Sequence, residues 1–174
     1  MGFLEYVLIV AIVAQVLFTI HVARNYRYAM QQSDRKRSTF RPRCALIVPC
    51  KGLDEAFDKN IESYFHQKYQ DYHLFFVVED RSEPTYDCLS NLRAKYGTSS
   101  QARTVEILVA GPTASSSQKL HNLLFAYREI PKETEVLVFA DSDACAGPNW
   151  LAHIVHPLRK DKNRASSGCR THEA

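Results

Sequence analysis

An α/β domain built on a mostly parallel sheet is the fold class this sequence predicts, and three observations carry it. Short apolar runs rich in Val, Ile, Leu and Phe recur around 45–48, 74–78, 105–109 and 136–139, as strands buried on both faces do. Between them lie stretches with apolar residues at helical spacing. Strand and helix alternate, which favours parallel pairing with helices on both faces of the sheet. A chain of 174 residues is long enough for one domain with a sizeable core.

The chain begins differently. Tyr6 to Val22 contains no Asp, Glu, Lys or Arg, at the lower edge of what a membrane-spanning helix requires. A cleaved signal peptide is the alternative, but it wants positive charge before its apolar run, and only Glu5 stands there. Residues 1–23 therefore read as an uncleaved anchor. Arg24, Arg27, Arg35, Lys36, Arg37, Arg41 and Arg43 follow, against Asp34. Residues 24–43 read as a basic juxtamembrane linker near anionic headgroups, with a merely solvated linker as the competing reading. The positive-inside rule then puts the domain, residues 44–174, on the cytoplasmic side.

Ala45 to Val48 is the first strand, stopped by Pro49, and the loop Cys50-Lys51-Gly52-Leu53-Asp54-Glu55 follows. Ile61, Tyr64 and Phe65 mark a helix over about 57–67. Leu74 to Val78 is the second strand and ends in Glu79-Asp80. Tyr86, Leu89, Leu92 and Tyr96 mark the next helix, closed by Gly97. Val105 to Val109 is the third strand, and a small-residue loop runs from Gly111 to Ser117. Leu120, Leu123, Leu124 and Tyr127 mark a third helix. Val136 to Ala140 is the fourth strand and runs into Asp141-Ser142-Asp143. Gly147-Pro148-Asn149 opens a last helix carrying Trp150, Leu151, Ile154 and Val155.

Composition excludes several functions. A net charge of +3 gives no reason to expect nucleic acid. The 5 cysteines form no CxxC pair, so neither a zinc site nor a disulfide framework is indicated, and reduced thiols fit best. Neither GxGxxG nor GxxxxGK[ST] occurs, so a dinucleotide cofactor or P-loop is unsupported. His153 and His156 read as surface or packing residues, Trp150 as core, and Cys50 as a small apolar filler rather than a nucleophile.

The strand ends carry the chemistry. Lys51 to Glu55 follow the first strand, Asp80 the second, and Asp141 and Asp143 the fourth; in a doubly wound sheet these ends share one edge. Aspartates two apart in an extended segment point to one side and can converge on one cation. Oxygen ligands shared with phosphate suit Mg²⁺ or Mn²⁺. A strand followed by a polar turn, with Asp143 capping the next helix, is the competing reading.

In order along the chain, Pro49-Cys50-Lys51-Gly52-Leu53-Asp54, Glu79-Asp80-Arg81-Ser82-Glu83-Pro84, Gln118-Lys119-Leu120-His121-Asn122-Leu123 and Asp141-Ser142-Asp143 resemble the motifs of membrane glycosyltransferases. The group is family 2 and family 21, and the resemblance is strongest to its ceramide-glucosylating branch. It covers about residues 1–160. It implies a Rossmann-like GT-A sheet, a UDP-sugar donor (UDP-glucose above all), a lipid acceptor such as ceramide, and inverting, metal-dependent transfer. By resemblance, Pro49 and Lys51 belong to the donor loop and Asp80 contacts the base or ribose. Asp141 sits against ribose and diphosphate, Asp143 with Asp141 holds Mn²⁺ or Mg²⁺, and Lys119 lies near the diphosphate.

The family's general base, a third aspartate, and its Gln-x-x-Arg-Trp motif are not found in these residues, while Gly168-Cys169-Arg170 faintly resembles a Gly-Tyr-Arg segment of the next strand. The expectation is a truncated product or fragment, inactive alone, with Asp161 and Glu173 the carboxylates left over. A non-catalytic membrane-anchored remnant is the main alternative. The Asp-x-Asp start of haloacid-dehalogenase-like phosphatases also fits Val136 to Asp143, but there it stands near the domain's beginning.

Overall fold

The computed structural model describes residues 2–33 and 39–168. Asp34, Arg35, Lys36 and Arg37 of the basic cluster, and Cys169, Arg170 and Glu173 of the tail, lie outside the described residues. The chain divides into two compact units, Met1–Ser38 and Thr39–Ala174.

The first unit is the helix α1, Phe3–Ser33. Its stretch Phe3–Tyr28 is long and apolar enough to cross a membrane. Val7, Val10, Leu17, Phe18 and Ile20 are all exposed within the unit, and a helix apolar all round needs lipid or a protein core to cover it. The Thr19 hydroxyl donates to the Gln15 carbonyl at 2.8 Å, which satisfies a polar group inside the apolar stretch. No Gly or Pro occurs between residues 24 and 33, and the helix continues to Ser33, so the first part of the expected linker is helical.

The second unit runs β1 (Cys44–Pro49), α2 (Phe57–Phe65), β2 (Tyr72–Val78), α3 (Pro84–Tyr96), β3 (Thr104–Val109), α4 (Gln118–Glu129), β4 (Val136–Phe139) and α5 (Trp150–Val155), with a 3₁₀ turn over His156–Arg159. The 4-stranded sheet has the order β3-β2-β1-β4 and all its pairs are parallel. Leu46 stands opposite Leu74 on one side and Val138 on the other. The winding goes outward from β1 through β2 to β3, then crosses back to place β4 on β1's free side. The gap between the ends of β1 and β4 is thus the topological switch point.

β1 and β2 are buried on both faces, which is why they read as unbroken apolar runs. On one face Leu46, Val48, Leu74, Phe76 and Val78 pack with Phe57, Ile61, Phe65, Leu89, Leu92, Leu151 and Val155 from α2, α3 and α5. Each such side chain, fully buried, contributes about 1.5–3 kcal/mol. The other face is thinner: Ala45, Ile47, Phe75 and Val77 meet Ala126 and Leu123 of α4. The polar start of β2 is accommodated by register, since His73 pairs with Thr104 and their side chains meet at 2.8 Å.

Two details depart from the sequence reading. The apolar spacing of α4 identifies the helix but not its buried face. Asn122 and Ala126 are buried, while Leu120, Leu124 and Tyr127 are exposed. The fourth strand is an edge of the described sheet rather than a buried one, with Val138 buried and Phe139 exposed. Gly97 closes α3 as expected, with a right-handed φ of −58°. It is glycine because an added Cβ would come within 2.5 Å of the Arg93 carbonyl oxygen.

Candidate functional site

At the switch point the loops form a cleft of about 280 Å³. From the end of β1 come Pro49, Cys50 and Lys51; from α4, Gln118, Lys119 and Asn122; from the end of β4, Asp141, Ser142 and Asp143. Pro49 ends β1, having no N–H to continue the ladder. The next amide, of Cys50, donates to the Val77 carbonyl at 2.8 Å. Gly52 then turns the chain with φ 72°. The Lys51 ammonium lies 3.1 Å from Glu79 at the end of β2.

On the opposite side, Ser117 caps α4 by accepting from the Leu120 amide at 3.3 Å. Gln118 donates to the Gly111 carbonyl and to Asn122 Oδ1, both at 2.8 Å, and accepts from the Thr113 amide at 3.2 Å. The first turn of α4 is thereby tied to the 111–117 loop. It points Lys119 across the cleft to Asp141, with Nζ 2.5 Å from Oδ1. Both groups are exposed (61% and 59%), so this pair adds little to folding stability.

β4 stops at Phe139, and Asp141 to Ala144 form a turn closed by the Ala144 amide on the Asp141 carbonyl at 3.3 Å. The two aspartates therefore meet the cleft from a turn, not from the extended segment expected. Asp143 does not cap the next helix; the residue before α5 is Asn149 and its side chain makes no cap bond.

Of the residues singled out in the sequence, the cleft brings together Pro49, Lys51, Lys119, Asp141 and Asp143. Asp80 is not among its lining. It is exposed and accepts from the Ser82 amide at 2.7 Å, and hydrogen bonding to Ser82 holds its carboxyl below the usual range. Burial pushes the Cys50 thiol well above the usual thiol range, so Cys50 is a filler of the cleft wall. Trp150 is half-buried against Tyr64, with ring centroids 6.1 Å apart. His153 is exposed and His156 buried.

Gln118 and Asn122 line the cleft without having been given a role from sequence. Asn122, part of the Gln118–Leu123 motif, is buried (3% exposed), as an asparagine seldom is. Among the described residues no cluster of three or more His, Cys, Asp or Glu side chains could hold a metal ion. The cleft offers the two carboxylates of Asp141 and Asp143. That donor set is too small for an all-protein cage and suits a hard cation that shares phosphate oxygens with its ligand. A second cavity of about 500 Å³ lies between α3 and β3; Arg93, Thr98 and Arg103 line it, and no carboxylate does.

The family model for glycosyl transferase family 21 matches residues 5–166. Ceramide glucosyltransferase 3 of Caenorhabditis elegans is 28% identical over 114 residues, which is 64% of this chain and 24% of that protein. The solved structure of a mannosyltransferase from Pyrobaculum calidifontis, in complex with GDP-Man and Mn²⁺, superposes with a TM-score of 0.58 at 20% identity, covering 84% of this chain and 43% of that one. The chain thus spans about a quarter of the curated relative and under half of the structural one. The structural likeness is one of fold, the GT-A fold. The family match over nearly the whole chain makes this protein a member of glycosyl transferase family 21.

Proposed function

We propose that this chain binds the nucleotide-sugar donor, UDP-glucose, for an inverting transfer to a membrane lipid such as ceramide. The observation that carries the reading is the cleft at the switch point, where Asp141 and Asp143 face Lys51 and Lys119. Ligands of open α/β sheets bind at that place. The name of the Caenorhabditis elegans relative supports the sugar and the acceptor. The Mn²⁺ and GDP-Man of the structural neighbour support a divalent cation, Mn²⁺ or Mg²⁺, beside a nucleotide diphosphate.

In this reading Asp143 with Asp141 holds the cation, which when bound supplies positive charge to the departing diphosphate. Asp141 also faces the ribose and diphosphate. Lys119 adds a second positive charge and exchanges its present partner, Asp141, for phosphate oxygen. Pro49 and Lys51 border the nucleotide, and Asp80 reaches the base or ribose from outside the cleft. Both cleft carboxylates are then engaged with cation and nucleotide, and a carboxylate beside a cation is a poor base, so neither is assigned to deprotonate the acceptor.

The test is thermal unfolding of the full chain in detergent with UDP-glucose, GDP-mannose or neither, in Mn²⁺ and in EDTA. The reading expects protection by UDP-glucose in Mn²⁺ alone, because a ligand that binds only the folded state raises its stability. No protection under any condition favours a non-catalytic remnant instead. The stretch Phe3–Tyr28 and the basic residues after it support a single-pass anchor with residues 44–174 on the cytoplasmic side. Protease added to sealed vesicles should digest those residues from the cytoplasmic side, and protection there contradicts that topology.

A further inference from the structure

The turn that carries Asp141 and Asp143 is held from behind. Tyr64, at the end of α2 and 1% exposed, aims its hydroxyl at both ends of this turn, 2.8 Å from the Asp141 carbonyl and 3.0 Å from the Ala144 carbonyl. Neighbouring side chains continue the hold. Ser63 Oγ accepts from the Ala146 amide at 2.9 Å. Gln67 donates to the Gly147 carbonyl at 3.0 Å and accepts from the Leu151 amide at 2.9 Å. The Lys68 amide donates to the Pro148 carbonyl at 2.7 Å.

A turn carries its side chains with it. If the Asp141 and Ala144 carbonyls separate, the aspartates between them change their spacing toward the cleft. The Tyr64 hydroxyl is the group that touches both carbonyls.

We propose that Tyr64 is a positioning residue for the donor. By bridging the Asp141 and Ala144 carbonyls it sets the turn on which the two aspartates reach the cation and diphosphate. The proposal rests on reading the cleft as a cation–diphosphate site. It extends that reading to a side chain that does not line the cleft.

The test measures Mn²⁺ binding to the full chain in detergent by the electron paramagnetic resonance signal of free Mn²⁺, with and without UDP. Tyr64→Phe keeps the ring against Trp150 and removes the hydroxyl alone. It should weaken Mn²⁺ binding in the presence of UDP by roughly five- to tenfold, the equivalent of one hydrogen bond. Tyr69→Phe is the control: Tyr69 is equally buried and donates to the Pro42 carbonyl at 2.6 Å, at the other end of the sheet. It should stay within about twofold of the parent. If Tyr64→Phe does not fold, Ser63→Ala removes one acceptor of the same clamp and should shift binding in the same direction by roughly threefold. Unchanged Mn²⁺ affinity in Tyr64→Phe and Ser63→Ala, or equal weakening in Tyr69→Phe, overturns the positioning role while leaving the cleft reading standing. Absence of UDP-dependent Mn²⁺ binding in the parent overturns the cleft reading, and the positioning role falls with it.

Discussion

β2 and β4 end alike in the sequence, each an apolar run that breaks into carboxylates, yet the fold uses the two ends differently. Glu79, after β2, is drawn to Lys51, and Asp80 turns to the amide of Ser82. Asp141 and Asp143, after β4, enter the cleft. The difference comes from strand order. β2 lies on the side of β1 where the chain winds steadily outward, whereas β4 lies on the side to which it returns. The loops after β1 and β4 diverge from that point and leave a gap, and side chains at their roots face it. Two similar motifs thus differ in setting because of their neighbours.

That contrast is open to substitution. The largest effect belongs to Asp143→Ala, which should weaken UDP binding in Mn²⁺ by roughly 100-fold, as loss of a charged ligand does. Calorimetry with and without metal checks it. The same substitution should change stability by less than about 1 kcal/mol, since this aspartate caps no helix. Lys119→Met comes next: about tenfold weaker UDP binding, with an unfolding free energy within about 0.5 kcal/mol of the parent because its partner is exposed.

The smallest effect is that of Asp80→Asn, a few-fold loss in UDP affinity with unchanged dependence on Mn²⁺. Its pH behaviour sharpens the contrast. The Asp80 carboxyl is held below its ordinary value of 3.8 by Ser82. A depressed carboxylate contributes its stabilisation above the unfolded value and loses it only as pH falls through the lower folded value. A carboxyl-carbon titration by NMR should therefore place the midpoint of Asp80 below that of an unperturbed aspartate.

The sheet was largely legible in the sequence because β1 and β2 are buried on both faces and their apolar runs have no competing explanation. The outer elements were less so. Leu120, Leu124 and Tyr127 share one stripe of α4, and periodicity alone cannot say whether a stripe faces the sheet or away from it. Here it faces away, and a buried polar residue, Asn122, occupies the inner side. The cleft's charged members were visible as motifs, but their setting was not. The shape of the Asp141–Ala144 turn depends on Tyr64, which stands 77 residues before Asp141 in the chain. No local pattern links positions so far apart; the link exists only once α2 is folded beside the β4 loop.

The claim that the switch-point cleft receives the cation and nucleotide is tested most directly by paramagnetic broadening of backbone amide signals. Mn²⁺ with UDP, added to the isotope-labelled chain, should broaden the amides of Cys50, Lys51, Lys119, Asn122 and Ser142, which line the cleft. It should leave Arg93 and Thr98, in the larger cavity between α3 and β3, unaffected. Broadening centred on Arg93 and Thr98, with the amides around Asp141 unchanged, would contradict the account.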